Sequence, residues 1–220
     1  MGLSDLLTFE KQLLDKGINL IAGVDEVGRG PLAGPFVAAA VILDLKKLIN
    51  DVTSQKISDY KLIRDSKKVM PKERVRLAEF IRKEAISYSI IEIPVEEVDE
   101  LGISKTTQKA FYNSIQQLNI KPEHILTDSF EIKKLAKQSQ TNLANGDGVS
   151  ISIAAASIIA KVYRDNIMIN MHKIYPNYGF DRHKGYGTKL HFEALQAYGP
   201  CEIHRKSFAP VKQVLINLNS

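Results

Sequence analysis

The chain has a single cysteine, Cys201, in 220 residues. That excludes a disulfide framework and any multi-cysteine zinc site, and it suits a reducing compartment. No apolar run reaches the length that spans a bilayer. Internal repeats and low-complexity linkers are absent. The histidines show no zinc-like pairing and no H-E-x-x-H helix. The order G-x-x-x-x-G-K-[ST] does not occur, so no nucleotide phosphate loop of that kind is present. Nothing marks a Ser-His-Asp set, and Cys201, beside Pro200, has no evident activating partner.

What is present belongs to an ordinary globular protein with a sizeable core: 44% hydrophobic and 25% charged residues. The first residues carry Asp5, Glu10 and Asp15 among leucines, which predicts a short amphipathic helix rather than a signal peptide. "MGLSDL" has Leu6 where an acylation signal wants Ser or Thr. A cytoplasmic protein with no membrane association is expected. The net charge of +5 is localised: between Lys161 and Lys212 there are nine Lys or Arg against four Asp or Glu. His172, His183, His191 and His204 lie in the same stretch. A basic segment of this kind suggests a polyanion such as nucleic acid as partner; a solvated face accounts equally well for the charge alone.

Apolar patterning predicts strands at 18–25, 35–43, 87–93 and 124–128, the first two close enough for a hairpin. Pro71 marks a helix start, continued by Val75, Ala78, Ile81 and Ala85. Ser104 is placed to cap a helix whose apolar face holds Ala110, Phe111, Ile115 and Leu118. "SIAAASIIAKVYRDN" reads as a buried helix, whose small residues Ala154 to Ser157 permit close approach to another element. Thr188 caps a last regular helix closed by Gly199. The architecture is α/β with a mixed sheet, followed by a mainly helical basic C-terminal region.

Four acids stand in apolar settings. Asp25 and Glu26 end the first strand, Asp128 ends another, and Asp165 shares a helix face with Ile158 and Val162. Taken singly, each reads as a cap or surface residue. Converging on one sheet edge, they would repel one another and raise their own pKa values, a conflict that a hard divalent cation resolves. Two such ions roughly 4 Å apart activate a water and stabilise the leaving oxygen of a phosphodiester. Consecutive strand residues point to opposite faces, so the chain is expected to twist or leave the sheet at Glu26, with Gly28 and Gly30 permitting the change of direction.

The segments "GVDEVGRGPLAGPFVAAAVIL", "LIRDSKKV", "ILTDSF", "SIAAASIIAKVYRD", "YGFDRHKGYGTKLH" and "GPCEIHRKSFAPV", in this order and over nearly the whole chain, resemble the ribonuclease HII family. The resemblance implies a ribonuclease H-like fold, with residues 1–170 as the catalytic domain. Residues 171–220 would be a basic helical region packed on it and contributing to substrate binding. It implies endonucleolytic hydrolysis of RNA in RNA–DNA hybrids and incision 5′ to single ribonucleotides embedded in duplex DNA, leaving 3′-hydroxyl and 5′-phosphate ends. The family's metal-binding, catalytic acids fall on Asp25, Glu26, Asp128 and Asp165, which would hold two Mg²⁺ or Mn²⁺ ions.

By the same resemblance, Gly28, Arg29 and Gly30 let the backbone approach the 2′-hydroxyl at the RNA-to-DNA junction, and Tyr186 stacks on the deoxyribose that follows. The glycines are equally those of a positive-φ turn. Arg29 has the alternative of pairing with a carboxylate of the cluster, and Tyr186 that of packing in a satellite core. Lys67, Lys68 and Lys184 are phosphate-contact candidates, while Asp65 and Ser66 shape their loop. His204 and Arg205 are candidates for packing or phosphate contact. Gly-Arg-Gly, where type III relatives carry Gly-Thr-Gly, points to type II. "NLANGDGVS" is left outside the site, and "VLINLNS" shows no aromatic clamp-binding peptide. A monomer is expected. The competing readings are a non-catalytic binder of hybrid duplexes and another ribonuclease H-like nuclease acting on DNA.

Overall fold

The structure, a computed structural model, describes residues 3–50, 56–64, 66 and 69–218. Five strands form one mixed sheet: β1 (Ile21–Val27), β2 (Phe36–Leu43), β3 (Ala85–Ile93), β4 (His124–Asp128) and β5 (Gln140–Leu143), in the order β3-β2-β1-β4-β5. β2 is the unbroken apolar run FVAAAVIL and every residue in it is fully buried, as a strand covered on both faces requires. β3, at one edge, alternates instead. β1 runs parallel to β4 with Ile21 opposite His124 and Val24 opposite Thr127, and β4 runs parallel to β5 with Asp128 opposite Leu143.

Helices α1 (Leu3–Leu6) and α2 (Thr8–Leu14) precede the sheet; α3 (Leu45–Asn50), α4 (Lys56–Leu62) and α5 (Pro71–Glu84) lie between β2 and β3. α6 (Val95–Gln116) separates β3 from β4, and α7 (Ile151–Ile174) follows β5. The C-terminal region holds α8 (Phe180–His183), α9 (Lys189–Tyr198) and α10 (Ala209–Leu218). Among the described residues no helix is long and apolar enough to cross a membrane.

The chain packs as two compact units. The first comprises the chain up to Glu26, Ala38–Ile91 and Gln108–Val162; the second comprises Val27–Val37, Glu92–Thr107 and the chain from Tyr163 on. The second unit has two apolar clusters of its own. Ala33, Met168, Tyr178, Phe180 and Ala194 form one, and Leu32, Leu195 and Val211 form the other.

Several local expectations change. Ser104 lies inside α6, not ahead of it; the break comes at Gly102 (φ 71°, ψ 157°), a conformation glycine adopts without strain. Val75 faces solvent at 44% exposure, while Arg74, Leu77, Ala78 and Ile81 form the buried face of α5. Ala85 lies past the helical turns: it caps α5, its N–H donating to Ile81 C=O, and opens β3. Thr188 does cap α9, its hydroxyl accepting from the His191 N–H at 3.3 Å, but α10 follows, so α9 is not the last regular helix. The unforeseen β5 is short and polar. Its buried Gln140 satisfies itself by accepting from Ile132 N–H at 2.8 Å and donating to Ile132 C=O at 3.0 Å.

Candidate functional site

In the first unit the site is built where β1 and β4 end side by side. The register that puts Val24 opposite Thr127 brings Asp25 beside Asp128 at its next step, on the same face of the sheet. Gly23, two residues before Asp25, shares that face. A Cβ there would stand 2.0 Å from the Ser152 carbonyl carbon, so α7 packs on the bare strand backbone. The small residues Ala154–Ser157, all buried, continue this close approach.

Asp25 is 5% exposed. Burial, then the charges of Glu26 and Asp128, push its carboxyl well above the usual carboxylate range; hydrogen bonds from the Ser157 side chain and the Glu26 N–H (2.7 Å) oppose the shift. Glu26 is half-buried and still within β1. The strand continues to Val27 and departs at Gly28 (φ +102°), so of the two expected courses the chain does not leave the sheet at Glu26. Asp128 is half-buried and its Oδ1 accepts from Gly146 N–H at 2.7 Å and from the Ser129 hydroxyl at 3.1 Å. The Asn145–Gly148 turn, left out of the site on sequence grounds, therefore supports one of its acids.

A second layer holds this edge. The Ser157 and Ser66 hydroxyls meet at 2.9 Å, and Arg74 fixes the Ser66 loop by donating to the carbonyls of Ser66 (2.7 Å) and Val69 (2.8 Å). Lys67, Lys68 and Asp65 in that loop lie outside the described residues. The N-terminus of α7 is capped twice. Ser150 Oγ accepts from Ile153 N–H at 3.2 Å, and the buried Glu10 carboxylate of α2 accepts from Ser152 N–H at 3.0 Å and Ser150 Oγ at 2.6 Å. Burial nonetheless raises Glu10 above the ordinary carboxyl value.

In the second unit the connection from Gly28 to Pro35 is held from beneath by two arginines that are fully buried. Arg164 donates from Nε to Pro35 C=O (2.9 Å), from Nη1 to Lys184 C=O (2.9 Å) and from Nη2 to Ala33 C=O (3.0 Å). Arg205 donates from Nε (3.0 Å) and Nη2 (2.8 Å) to Gly34 C=O and from Nη1 to Arg29 C=O (3.4 Å). Burial, and then the neighbouring Arg164, pull Arg205 down to about 9. Arg205 is therefore a packing residue, and the phosphate-contact alternative falls. Gly28 admits no side chain: a Cβ would lie 2.7 Å from Arg164 Nε and 2.8 Å from Pro35 O.

Arg29 is half-buried and donates to Thr107 Oγ1 at 2.5 Å; Gly30 is exposed. Asp165, half-buried on α7, follows Arg164 and its charge raises that residue's affinity for its proton. The Lys184–Gly187 loop docks on the same connection. Leu32 N–H donates to Gly185 C=O at 2.8 Å, and a Cβ on Gly185 would meet Ala33 O at 2.3 Å. Lys184 is half-buried with φ +53° and its ammonium donates to Asp181 C=O. Tyr186 is 39% exposed, with the Arg164 guanidinium 5.8 Å from its ring centroid.

The structure thus brings Asp25, Glu26 and Asp128 together in one unit, and Gly28, Arg29, Gly30, Asp165, Lys184 and Tyr186 belong to the other. Ser157, Gly146 and Arg164 were missed as supports. The readable signal for Arg164 was a cation one helical turn from Met168 on an otherwise apolar stripe.

The donor set of the first unit is all oxygen, with one carboxyl squeezed by burial and two neighbouring charges, and this suits a hard divalent cation. Among the described residues no three His, Cys, Asp or Glu side chains are grouped so that they could hold a metal ion. Ions such as Mg²⁺ characteristically take one or two carboxylates and fill their remaining positions from water and substrate phosphate.

Comparison with known proteins gives a consistent picture. The sequence model described as Ribonuclease HII matches residues 22–211. Ribonuclease HII of Chlamydia caviae is 46% identical over 208 residues, covering 94% of this chain and 92% of that protein. Ribonuclease HII of Acholeplasma laidlawii is 46% identical over 211 residues, 96% and 98% of the two chains. The crystal structure of ribonuclease H2 from Pyrococcus horikoshii superposes with a TM-score of 0.75 at 25% identity, covering 91% of this chain and 99% of that one.

Proposed function

The chain belongs to the ribonuclease HII family and is a type 2 ribonuclease H, a hydrolase with ribonuclease H activity on RNA–DNA hybrids; from that premise we propose that it also incises duplex DNA on the 5′ side of single embedded ribonucleotides, by metal-dependent hydrolysis. Asp25, Glu26, Asp128 and Asp165 are the acids that hold the metal. When bound, two divalent ions, Mg²⁺ or Mn²⁺, supply an activated water and stabilise the leaving oxygen, so that 3′-hydroxyl and 5′-phosphate ends result.

The chain's own residues prepare that chemistry. The observation that carries the reading is the pairing of Asp25 and Asp128 at adjacent parallel strand ends, with Asp25 buried against two like charges. Ser157 and the Glu26 N–H fix the Asp25 carboxyl. Gly146 and Ser129 both bind Asp128 Oδ1, so Oδ2 is the oxygen offered to a cation. Gly28 and Gly30 keep side chains off the connection that meets the ribose, where a 2′-hydroxyl both donates and accepts. Tyr186 offers its exposed ring to the following deoxyribose. Lys184, together with Lys67 and Lys68, contacts phosphates, and the basic region 171–220 adds affinity without sequence preference.

The test is a labelled DNA duplex carrying one ribonucleotide, incubated with Mg²⁺, Mn²⁺ or EDTA, beside an all-DNA duplex and the variant Asp25→Asn. Incision 5′ to the ribonucleotide, dependent on metal and lost in the variant, is expected. Tight binding without incision under either metal would leave a non-catalytic hybrid binder, and equal cutting of the all-DNA duplex would leave a DNA nuclease.

A further inference from the structure

Three histidines of the second unit form a stack that the reaction does not use. His183 and His191 lie face to face, 4.5 Å between centroids and 13° between planes, and His191 and Phe180 meet edge to face at 5.5 Å. His191 and His204 are both fully buried. Their nitrogens meet each other and main-chain groups at hydrogen-bonding distance, and this fixes which nitrogen carries each proton.

Cys201 N–H donates to His204 Nδ1 at 3.0 Å, so that nitrogen is an acceptor; the Cys201 thiol faces it at 3.1 Å. A neutral His204 therefore carries its proton on Nε2, which faces His191 Nε2 at 3.0 Å. His191 Nε2 must then accept, and its proton sits on Nδ1, which faces Tyr186 C=O at 3.0 Å. The same logic holds beside it: Gly185 N–H donates to His183 Nδ1 at 3.1 Å, and His183 Nε2 faces Tyr178 C=O at 2.7 Å. Each bond sets the direction of the next, from the main chain at Cys201 to the main chain at Tyr186.

We propose that His191 and His204 are positioning residues for Tyr186: their directional chain of hydrogen bonds fixes the Tyr186 carbonyl and so aims the exposed ring of that residue at the substrate. The inference rests on the reading that Tyr186 meets the sugar after the ribonucleotide. Its chemistry is selective. A histidine that merely filled space would be replaceable by phenylalanine, whereas one that passes on a bond direction needs both nitrogens in one tautomer.

The experiment is a double-mutant cycle on the duplex with one embedded ribonucleotide, using His191→Phe, Tyr186→Ala and the pair, assayed well below each variant's melting temperature. His191→Phe is expected to lower kcat/KM about tenfold, the worth of one buried hydrogen bond. His191→Asn, which keeps a donor near the Nδ1 position, is expected to recover most of it. The double variant is expected to be no worse than Tyr186→Ala, because one residue acts through the other. Additive losses, with Tyr186→Ala itself impaired, would overturn the positioning role and leave the Tyr186 contact standing. Full activity of Tyr186→Ala would overturn the contact and the positioning role together. Imidazole ¹⁵N shifts of the unmodified protein give a check that needs no variant: His191 must carry its proton on Nδ1 and His204 on Nε2, and the opposite tautomers would refute the chain.

Discussion

Replacing Arg164 by Met removes three hydrogen bonds of 2.9, 2.9 and 3.0 Å and leaves the carbonyls of Pro35, Lys184 and Ala33 without that donor. A buried acceptor stripped of its partner costs about 1–3 kcal/mol. The variant also escapes the desolvation of a buried guanidinium, whose burden shows in its lowered pKa, and this returns part of the loss. A net destabilisation of about 3 kcal/mol is expected. Arg164→Lys is the sharper case. A lysine keeps the buried charge but has no planar fork, so it cannot serve three carbonyls in different directions. The lysine variant is therefore expected to be at least as unstable as the methionine variant. Urea titrations at pH 7 in EDTA measure both, with incision assays beside them. A lysine variant within about 1 kcal/mol of the parent would show that charge alone suffices, and would refute the reasoning from fork geometry.

Asp25→Asn, expected to abolish incision, is also expected to stabilise the metal-free protein by about 1 kcal/mol, because it removes a buried carboxyl facing two like charges; an unchanged or lower melting temperature in EDTA would contradict this. Gly23→Ala drives a Cβ to 2.0 Å from the Ser152 backbone and is expected to cost more than about 3 kcal/mol or to prevent soluble expression, checked by thermal melting. His191 and His204 are pushed from 6.5 down to about 4, chiefly by burial, so the folded state binds fewer protons than the unfolded one between those values. Their contribution is complete above pH 6.5 and is lost as pH falls toward 4, by up to about 3 kcal/mol each. Glu10, raised above 4.5 by burial, acts in the opposite sense: it favours the fold at low pH and loses that contribution as pH rises through its folded value. Unfolding free energies from pH 4 to 7 for the parent and His191→Phe separate the two, and identical slopes would disprove the histidine contribution.

The strand-end acids were legible because their chemistry is written next to their structure. Asp25 follows the buried stretch Ile21–Val24 and Asp128 follows the buried stretch Ile125–Thr127, and a carboxylate directly after a buried stretch of strand invites explanation. The close packing of α7 could be read from Ala154–Ser157, though its contact at Gly23 could not, since one glycine among several carries no address. β5 escaped because QTNL has neither the length nor the apolar pattern of a strand; it is held by its neighbour's register and by Gln140 bonding to the main chain of Ile132. For Arg205 packing and phosphate contact stayed open in the sequence for a more general reason. Cation count predicts surface potential, but two of the cations in the basic segment are fully buried and serve main-chain carbonyls.

The bond from Arg205 to Gly34 joins residues 171 positions apart in the chain. At synthesis rates of 5–20 residues per second, Gly34 precedes its partner out of the ribosome by about 10–35 s. During that interval the connection after β1 has none of its guanidinium supports from Arg205, and Arg164 arrives only late. A nascent chain therefore carries Asp25, Glu26 and Asp128 well before either guanidinium that holds the Gly28–Pro35 connection. Contacts of this sequence separation also slow refolding of the finished chain. The Gly28–Pro35 connection would thus settle late, both during synthesis and after denaturation.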